Sequence, residues 1–169
     1  MLNIVLHEPE IPQNAGNIGR TCVAIGARLH LIKPMGFSIE DKWVKRAGLD
    51  YWDKLEVMTY ESYPDFLCKN FPGNQPDVRI YMASTKAKRT YCDVEYERDT
   101  YIMFGKESAG IPEEILIDHE DTAIRIPMVP DIRSLNLSNA VAIVSYEVMR
   151  QWGFDSLERE GHLHRLSWR

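Results

Sequence analysis

The chain has few cysteines and no long apolar run, and these two absences exclude several classes of protein. Only three of its 169 residues are cysteines, at Cys22, Cys68 and Cys92. Their odd number and unpaired spacing exclude a disulfide framework and a zinc motif, so we expect free thiols in a reducing, cytoplasmic compartment. No apolar run approaches the roughly 18 residues that a membrane-spanning helix requires, and we expect no membrane contact.

Positive charge is also scarce. Lys and Arg number 20 against 25 Asp and Glu, which gives a net charge of −5. This balance argues against a nucleic-acid binder that works by bulk charge, but it leaves room for a local basic face. Taken alone, a cluster of charges is more typical of a solvated surface. Two clusters are candidates for a basic face: Lys42, Lys45 and Arg46, and then Lys86, Lys88 and Arg89.

The common nucleotide-binding and catalytic signatures are missing. Gly16 and Gly19 lack the G-x-G-x-x-G spacing of a dinucleotide site, which disfavours a nucleotide-dependent oxidoreductase. Gly105-Lys106 has neither the spacing nor the Ser/Thr of a phosphate-binding P-loop. Ser108 lacks the G-x-S-x-G context of a nucleophile elbow. The histidines show no ligand spacing, so we expect no metal site.

Strand-length apolar runs alternate with helical segments along the chain. This alternation predicts an α/β fold with a mostly parallel sheet and helices on both faces. The opening MLNIVLHEPE lacks a basic region and is interpreted as a first strand rather than a signal peptide. The domain is expected to span residues 1–153, followed by a polar tail at 154–169. The predicted strands cover 2–7, 28–33, 55–60, 78–83, 100–104 and 122–126, and the predicted helices lie at 14–26, 40–47, 63–71, 112–117 and from 136 onwards.

The helices at the two ends of the domain carry the clearest local signals. Asn14 is a candidate N-cap of the first helix and Gly26 a candidate C-cap. Either Ser134 or Asn136 can cap the closing helix. That helix is apolar on most of its circumference, which predicts burial in a core or against a partner chain. Its main apolar stripe is Leu137, Val141, Val144, Val148 and Trp152.

Four loops of unusual content follow the carboxyl ends of predicted strands, where ligands bind in open α/β sheets. Three of them carry the motifs NAGNIGR at 14–20, FGKESAGIP at 104–112, and IPM at 126–128 followed by RSLNLSNA at 133–140. These motifs, in this order, resemble the SPOUT methyltransferases, specifically the small TrmL (YibK) type. The resemblance covers residues 1–153. Each motif alone is weak, but three in order across one domain are specific.

The resemblance implies a fold, a cofactor and a reaction. It implies a C-terminal trefoil knot that holds S-adenosylmethionine, and a homodimer whose contacts involve the first and closing helices. It implies methyl transfer to a ribose 2′-hydroxyl of tRNA, at the wobble cytidine or uridine (position 34) of leucine tRNAs. Another tRNA or rRNA nucleotide, or a non-catalytic RNA-binding knot protein, are the alternatives.

The resemblance also assigns roles to residues. Arg20 is the activating residue, and because a guanidinium stays protonated we expect it to bind RNA phosphate and lower the pKa of the nearby hydroxyl. Asn14 orients Arg20 or the ribose, Glu107 holds an arginine or the cofactor region, and Ser134 and Asn136 bind substrate or cofactor. The cofactor contacts are Ala83, Gly105, Ile126, Met128, Ser134 and Leu135, and the RNA contacts are Arg20, Lys42, Lys45, Arg46, Lys86 and Lys88.

Two substitutions follow from these assignments. We expect Gly105→Val to weaken cofactor binding and to leave the fold intact, because a side chain would intrude where backbone approaches the ligand. We expect aspartate at Val144 or Val148 to break the dimer.

Overall fold

The computed structural model describes residues 1–38, 52–73 and 79–169. The predicted helix at 40–47, with its basic cluster Lys42, Lys45 and Arg46, lies outside these ranges. The described strands are β1 (Asn3–His7), β2 (Arg28–Ile32), β3 (Val57–Tyr60), β4 (Ile80–Ala83), β5 (Arg89–Thr90), β6 (Tyr101–Phe104) and β7 (Ala123–Arg125). The described helices are α1 (Pro12–Ile25), α2 (Tyr63–Asn70), α3 (Glu113–Leu116) and α4 (Leu137–Gln151), with 3-10 turns at Trp52–Lys54 and Ile117–Thr122.

The strands form one sheet in the order β3-β2-β1-β6-β4-β7-β5. Every pairing among the described strands is parallel, which confirms the predicted sheet. β1 is an inner strand next to the central strand β6, and its Ile4 pairs with Leu29 of β2 on one side and with Ile102 of β6 on the other. Because all strands run the same way, the loops that follow them meet at one edge of the sheet.

Side chains of β1 alternate between two cores, as the period of a strand requires. Ile4 and Leu6 pack in a cluster that includes residues of α1 and α4. Val5 packs in a second cluster, with Phe66 of α2. Helices therefore cover both faces of the sheet, as predicted.

The start of α1 differs from the prediction and its end agrees with it. The helix begins at Pro12, whose missing N–H suits a first turn, and its N-cap Ile11 offers no side-chain cap. The prediction of Asn14 as N-cap is wrong, because Asn14 lies inside the first turn with its side chain buried. Gly26 ends the helix in the left-handed conformation, with φ 67°, and the predicted C-cap is confirmed.

α4 begins where the sequence indicated. The side-chain oxygen of Asn136 accepts a hydrogen bond from the backbone N–H of Ser138 at 2.9 Å, which confirms the cap. Val144 and Val148 are 1% and 0% exposed and belong to the chain's own core, beside residues of α1. Aspartate at either position would disrupt this core first, so the expected loss of a dimer stays a prediction and would not by itself identify an interface.

The sequence missed β5 in what it treated as a basic loop; Arg89 and Thr90 pair with Ile124 and Arg125 of β7. Residues 154–169 form no helix or strand, although Phe154 and Leu157 pack against the core. The domain boundary at 153 and the trefoil knot stay predictions. In the described part of the chain, no helix is long and apolar enough to cross a membrane.

Candidate functional site

A cleft of about 720 Å³ opens at the carboxyl ends of β4, β6 and β7. Its size falls within the range of small-molecule sites, roughly 300–1,000 Å³. The cleft brings together three of the loops that the sequence singled out, those at 83–86, 104–110 and 124–137, and the start of α1 adds Ile11 and Asn14. All the residues predicted to hold the cofactor line it: Ala83, Gly105, Ile126, Met128, Ser134 and Leu135.

The walls of this cleft combine apolar side chains with exposed backbone. Ile126 and Met128 are half-buried, and Leu135 is 37% exposed at the mouth. Phe104, the last residue of β6, and Ile124, in β7, also line the cleft and are buried. An aromatic heterocycle suits such a surface, because its faces pack on apolar groups while its edge accepts hydrogen bonds from backbone.

The loop at 105–110 is shaped by its own backbone. The N–H of Gly110 donates to the carbonyl of Lys106 at 2.8 Å, and Gly110 adopts φ +75°. A Cβ on Gly105 would lie 1.9 Å from the carbonyl carbon of Gly110 and 2.1 Å from the nitrogen of Ile111. The expectation that Gly105→Val leaves the fold intact is therefore wrong, because any side chain here forces this backbone apart.

Glu107 holds the beginning of α1 against this loop. Its carboxylate accepts hydrogen bonds from the backbone N–H of Glu10 at 2.8 Å and of Ile11 at 3.2 Å, and from Nδ2 of Asn14 at 2.9 Å. A carboxylate is favourable at a helix N-terminus, where N–H groups lack partners inside the helix. Glu107 thus supplies the cap that Ile11 cannot, a positioning role that the sequence did not indicate.

Asn14 also links Glu107 to the residue that caps α4. Nδ2 of Asn136 donates to Oδ1 of Asn14 at 3.0 Å. Oδ1 of Asn136 then accepts from the N–H and the hydroxyl of Ser138, at 2.9 and 2.7 Å. Three of the predicted catalytic residues, Glu107, Asn14 and Asn136, therefore form one hydrogen-bonded chain at the cleft.

Two more contacts bind the loop after β1 to the loop after β6. The carboxylate of Glu10 accepts hydrogen bonds from the N–H and the hydroxyl of Ser108, at 2.9 and 2.8 Å. These bonds hold the pKa of Glu10 below its usual value. Nζ of Lys106 lies 3.0 Å from the carboxylate of Glu8, and this hydrogen bond raises the pKa of Lys106. The sequence analysis predicted neither pair. The available signal was that the loop after β1 offers carboxylates, while the Lys-Glu-Ser motif after β6 offers an ammonium group and a hydroxyl that can bind them.

The remaining predicted residues lie at the rim or outside. Ser134 and Lys86 line the cleft, and Nζ of Lys86 is 2.8 Å from Glu113. Nζ of Lys88 is 2.5 Å from Glu120. Arg20 is exposed on α1 and is not among the described residues that line the cleft of its own chain. Over the described ranges, no grouping of three or more His, Cys, Asp or Glu side chains suits a metal ion.

The cleft and its three loops can be compared with known families. Residues 1–146 match the SpoU rRNA Methylase family. The chain belongs to this family. The predicted resemblance to SPOUT methyltransferases is therefore confirmed, and the motifs that carried it are the ones that surround the cleft.

Relatives within the SpoU family are similar over nearly their whole length. The chain is 48% identical, over 155 residues, to the tRNA (cytidine(34)-2′-O)-methyltransferase of Escherichia coli (strain K12), covering 91% of this chain and 96% of the relative. It is 45% identical to the enzyme of the same name from Saccharophagus degradans, covering 91% and 97%.

Two solved structures are similar in fold to this chain. One, which concerns the 2-OH methylation of C/U34 on tRNA, has a TM-score of 0.84 at 40% identity and covers 91% of this chain and 97% of its own. The SpoU methyltransferase AviRb from Streptomyces viridochromogenes, in complex with AdoMet, shares the fold with a TM-score of 0.80 at 22% identity, covering 94% and 59%.

Proposed function

We propose that this SpoU-family chain transfers a methyl group from S-adenosylmethionine to the ribose 2′-hydroxyl of nucleotide 34 of tRNA. One observation carries the proposal: the motif residues predicted for cofactor and catalysis, Arg20 apart, meet in a single cleft. The similarity to C34-specific tRNA methyltransferases supports the position. Leucine tRNAs with cytidine or uridine at 34 are the substrates we propose, in the cytoplasm, where tRNA is available.

The cleft fits the proposed cofactor. Ile126, Met128 and Leu135 would contact the adenine ring, and Ala83 and Gly105 would let backbone approach it. Ser134 offers a hydroxyl at the same wall. S-adenosylmethionine supplies an electrophilic methyl group when bound there. We also propose that the loops at 105–110 and 126–136 belong to a C-terminal trefoil knot.

A homodimer would bring Arg20 to this chemistry. The exposed side chains of α1 fall on one stripe, with Asn17, Arg20 and Ala24 at helical spacing. Ile143 and Tyr146, which are 37% and 48% exposed, form a second stripe on α4, and α1 and α4 pack together. Apolar groups exposed beside each other suit a two-fold interface. We propose that Arg20 of the partner subunit reaches the cleft.

In this arrangement each residue has a physical task. Arg20 of the partner subunit binds RNA phosphate with its planar fork and stabilises negative charge that develops on the 2′-oxygen. Asn14 and Asn136 hold the entrance of the cleft in place, and Glu107 holds Asn14. The proton leaves to phosphate or water, because the guanidinium cannot accept it. Most of the rate gain should come from orientation.

Methyl incorporation tests the proposal. Purified protein is incubated with methyl-labelled S-adenosylmethionine and bulk tRNA from a strain that lacks the gene. We expect label in this tRNA and little in tRNA from the parent strain, whose target is already methylated. A parallel reaction uses ribosomal RNA from the same strain, and label there instead of in tRNA would favour the alternative RNA target. RNA binding without any transfer would favour a non-catalytic knot protein. Binding of NAD in place of S-adenosylmethionine would contradict the proposed methyl transfer to any RNA.

A further inference from the structure

Residues 161–169, with the sequence GHLHRLSWR, differ in charge from the rest of the chain. This basic arm contains Arg165 and Arg169 and no Asp or Glu. Because the whole chain has 20 Lys and Arg against 25 Asp and Glu, the residues before the arm have 18 against 25. The arm is thus a short cationic segment on an otherwise acidic protein.

The basic arm also presents apolar side chains to solvent. Leu166 is 76% exposed, Trp168 is 75% exposed and Leu163 is 36% exposed. The arm forms no helix or strand, and each of its residues is exposed. An indole can bury about 150–250 Å² when it docks, so an exposed Trp168 has a large contact surface to offer a partner.

The combination of indole and guanidinium points to RNA. Unpaired bases stack on aromatic side chains, and arginines bind the phosphates between them. A membrane surface is a poorer match, because it calls for an amphipathic helix and anionic lipids would repel the acidic remainder of the chain. We infer that the basic arm binds tRNA, with Arg165 and Arg169 on phosphates and Trp168 stacked on a base.

The residues between α4 and the arm are fixed on the core. α4 contributes Leu137, Ala140 and Val144 to the cleft, and its last residue, Gln151, lies about 10 Å beyond Val144 along the helix axis. Just beyond it, the guanidinium of Arg98 lies 4.9 Å from the ring centre of Trp152 and pairs with Asp155, and Leu157 packs on the core. The chain is therefore anchored up to this point.

None of the residues 161–169 lines the cleft, and all of them are exposed, so the role of the basic arm is in binding rather than in chemistry. Its contacts fall on nucleotides other than the one that is methylated. The inference rests on the proposed function, because it concerns the same tRNA. It extends that function by adding an RNA contact outside the motif loops and outside the clusters at Lys42–Arg46 and Lys86–Lys88.

Salt-dependent binding of unmodified tRNA to the full-length protein tests the inference. For Arg165→Ala/Arg169→Ala, we expect the slope of log Kd against log salt to fall by about 1.5, as for the loss of two phosphate contacts. Trp168→Ala should weaken binding about tenfold, and Trp168→Phe should keep most of the affinity because it keeps a stacking face. S-adenosylmethionine affinity and kcat at saturating tRNA should not change, while KM for tRNA rises.

Arg159→Ala is the matched control. Arg159 stands between Glu158 and Glu160, so its charge is balanced locally and its loss should change the salt slope little. Wild-type affinity and slope in the arm variants would overturn the inference, as would an equal effect of Arg159→Ala. It would also be overturned if the arm variants lost binding to anionic phosphatidylglycerol vesicles and kept tRNA binding. Because binding is measured without methyl transfer, failure of the proposed reaction would be seen separately, as normal arm-dependent binding with no labelled product.

Discussion

Nδ2 of Asn14 donates a 2.9 Å hydrogen bond to the carboxylate of Glu107, which lies 93 residues further along the chain. Through Asn136 the same network reaches the cap of α4. Three motifs that are far apart in sequence are therefore joined by side chains at one edge of the sheet. These hydrogen bonds hold the entrance of the cleft in place.

Removal of Asn14 should destabilise the fold at this connection. Asn14→Ala leaves the carboxylate of Glu107 and the amide of Asn136 with one partner fewer each, and we predict a loss of about 1–3 kcal/mol in the free energy of unfolding. Denaturant titration measures the change. Gln13→Ala is the control, because Gln13 is an exposed residue on the same turn and its loss should cost little. A stability equal to wild type in Asn14→Ala would show that the network does not hold α1.

Stability should depend on His30 in mildly acidic solution. Its Nδ1 lies 2.8 Å from the hydroxyl of Tyr60 and its Nε2 lies 3.2 Å from Oδ1 of Asn3. Burial, followed by the positive charge of Arg28, lowers the pKa of His30 to about 4, against about 6.5 in an unfolded chain. Between these values the unfolded state binds a proton that the folded state does not, so stability rises with pH and is lost as pH falls from 6.5 towards 4.

We predict that this single group lowers the free energy of unfolding by about 3 kcal/mol across the window. His30→Gln should be less stable at neutral pH but show a flatter pH dependence between 4 and 6.5. His162→Gln, at an exposed position, should keep the wild-type slope. Denaturation at a series of pH values distinguishes them, and identical slopes in wild type and His30→Gln would reject the assignment.

Substitutions on the two faces of α4 should have different consequences. Val148→Asp buries a charge at a position that is 0% exposed, and we predict an unfolded or aggregated chain. Tyr146→Asp lies on the outer face and should yield a folded monomer. Circular dichroism and sedimentation velocity measure fold and oligomeric state. Ile117→Asp, at a remote residue that is 78% exposed, should sediment like wild type. A wild-type chain that stays monomeric at micromolar concentration would contradict the proposed dimer.

Mixing of two inactive variants tests whether Arg20 acts on the other subunit's cleft. Arg20→Ala should bind S-adenosylmethionine normally and transfer no methyl group, and Arg20→Lys should recover some RNA binding but little turnover. Ala83→Leu should fill the cleft and abolish cofactor binding while the dimer persists. If each site combines a cleft with the partner's Arg20, a mixture re-equilibrated through monomers regains about a quarter of wild-type activity, since half of its dimers hold one competent site. No recovery would show that Arg20 serves its own cleft.

Much of the fold follows from local patterns that the sequence displays directly. The strand at Asn3–His7 and the cap at Asn136 were predicted because alternation and capping act over a few residues. β5 was missed because two polar residues at a sheet edge carry no periodic signal. The stripe of Val144 and Val148 was identified correctly as buried, but the pattern could not tell a core in the same chain from a partner, since both remove the same apolar surface from water.

The sequence predicted which residues form the candidate site better than it predicted what each residue does. The motifs selected Asn14, Glu107 and Asn136, and the structure brings them together. Asn14 was misjudged as an N-cap, because the cap of α1 comes from Glu107, 96 residues beyond Ile11, and local reasoning does not include so distant a partner. The sequence analysis explained Gly105 by the close approach of a ligand. In the structure, the backbone of Gly110 already leaves no room for a side chain at this position.

Nucleotide-resolved mapping tests the central claim most directly. Leucine tRNA from a strain that lacks the gene is treated with the protein and S-adenosylmethionine, digested, and analysed by mass spectrometry for 2′-O-methyl nucleotides. The account predicts one new 2′-O-methyl group, on the cytidine or uridine at position 34, which is absent with Arg20→Ala. A methyl group at another nucleotide, or none with a folded protein that binds S-adenosylmethionine, would contradict it.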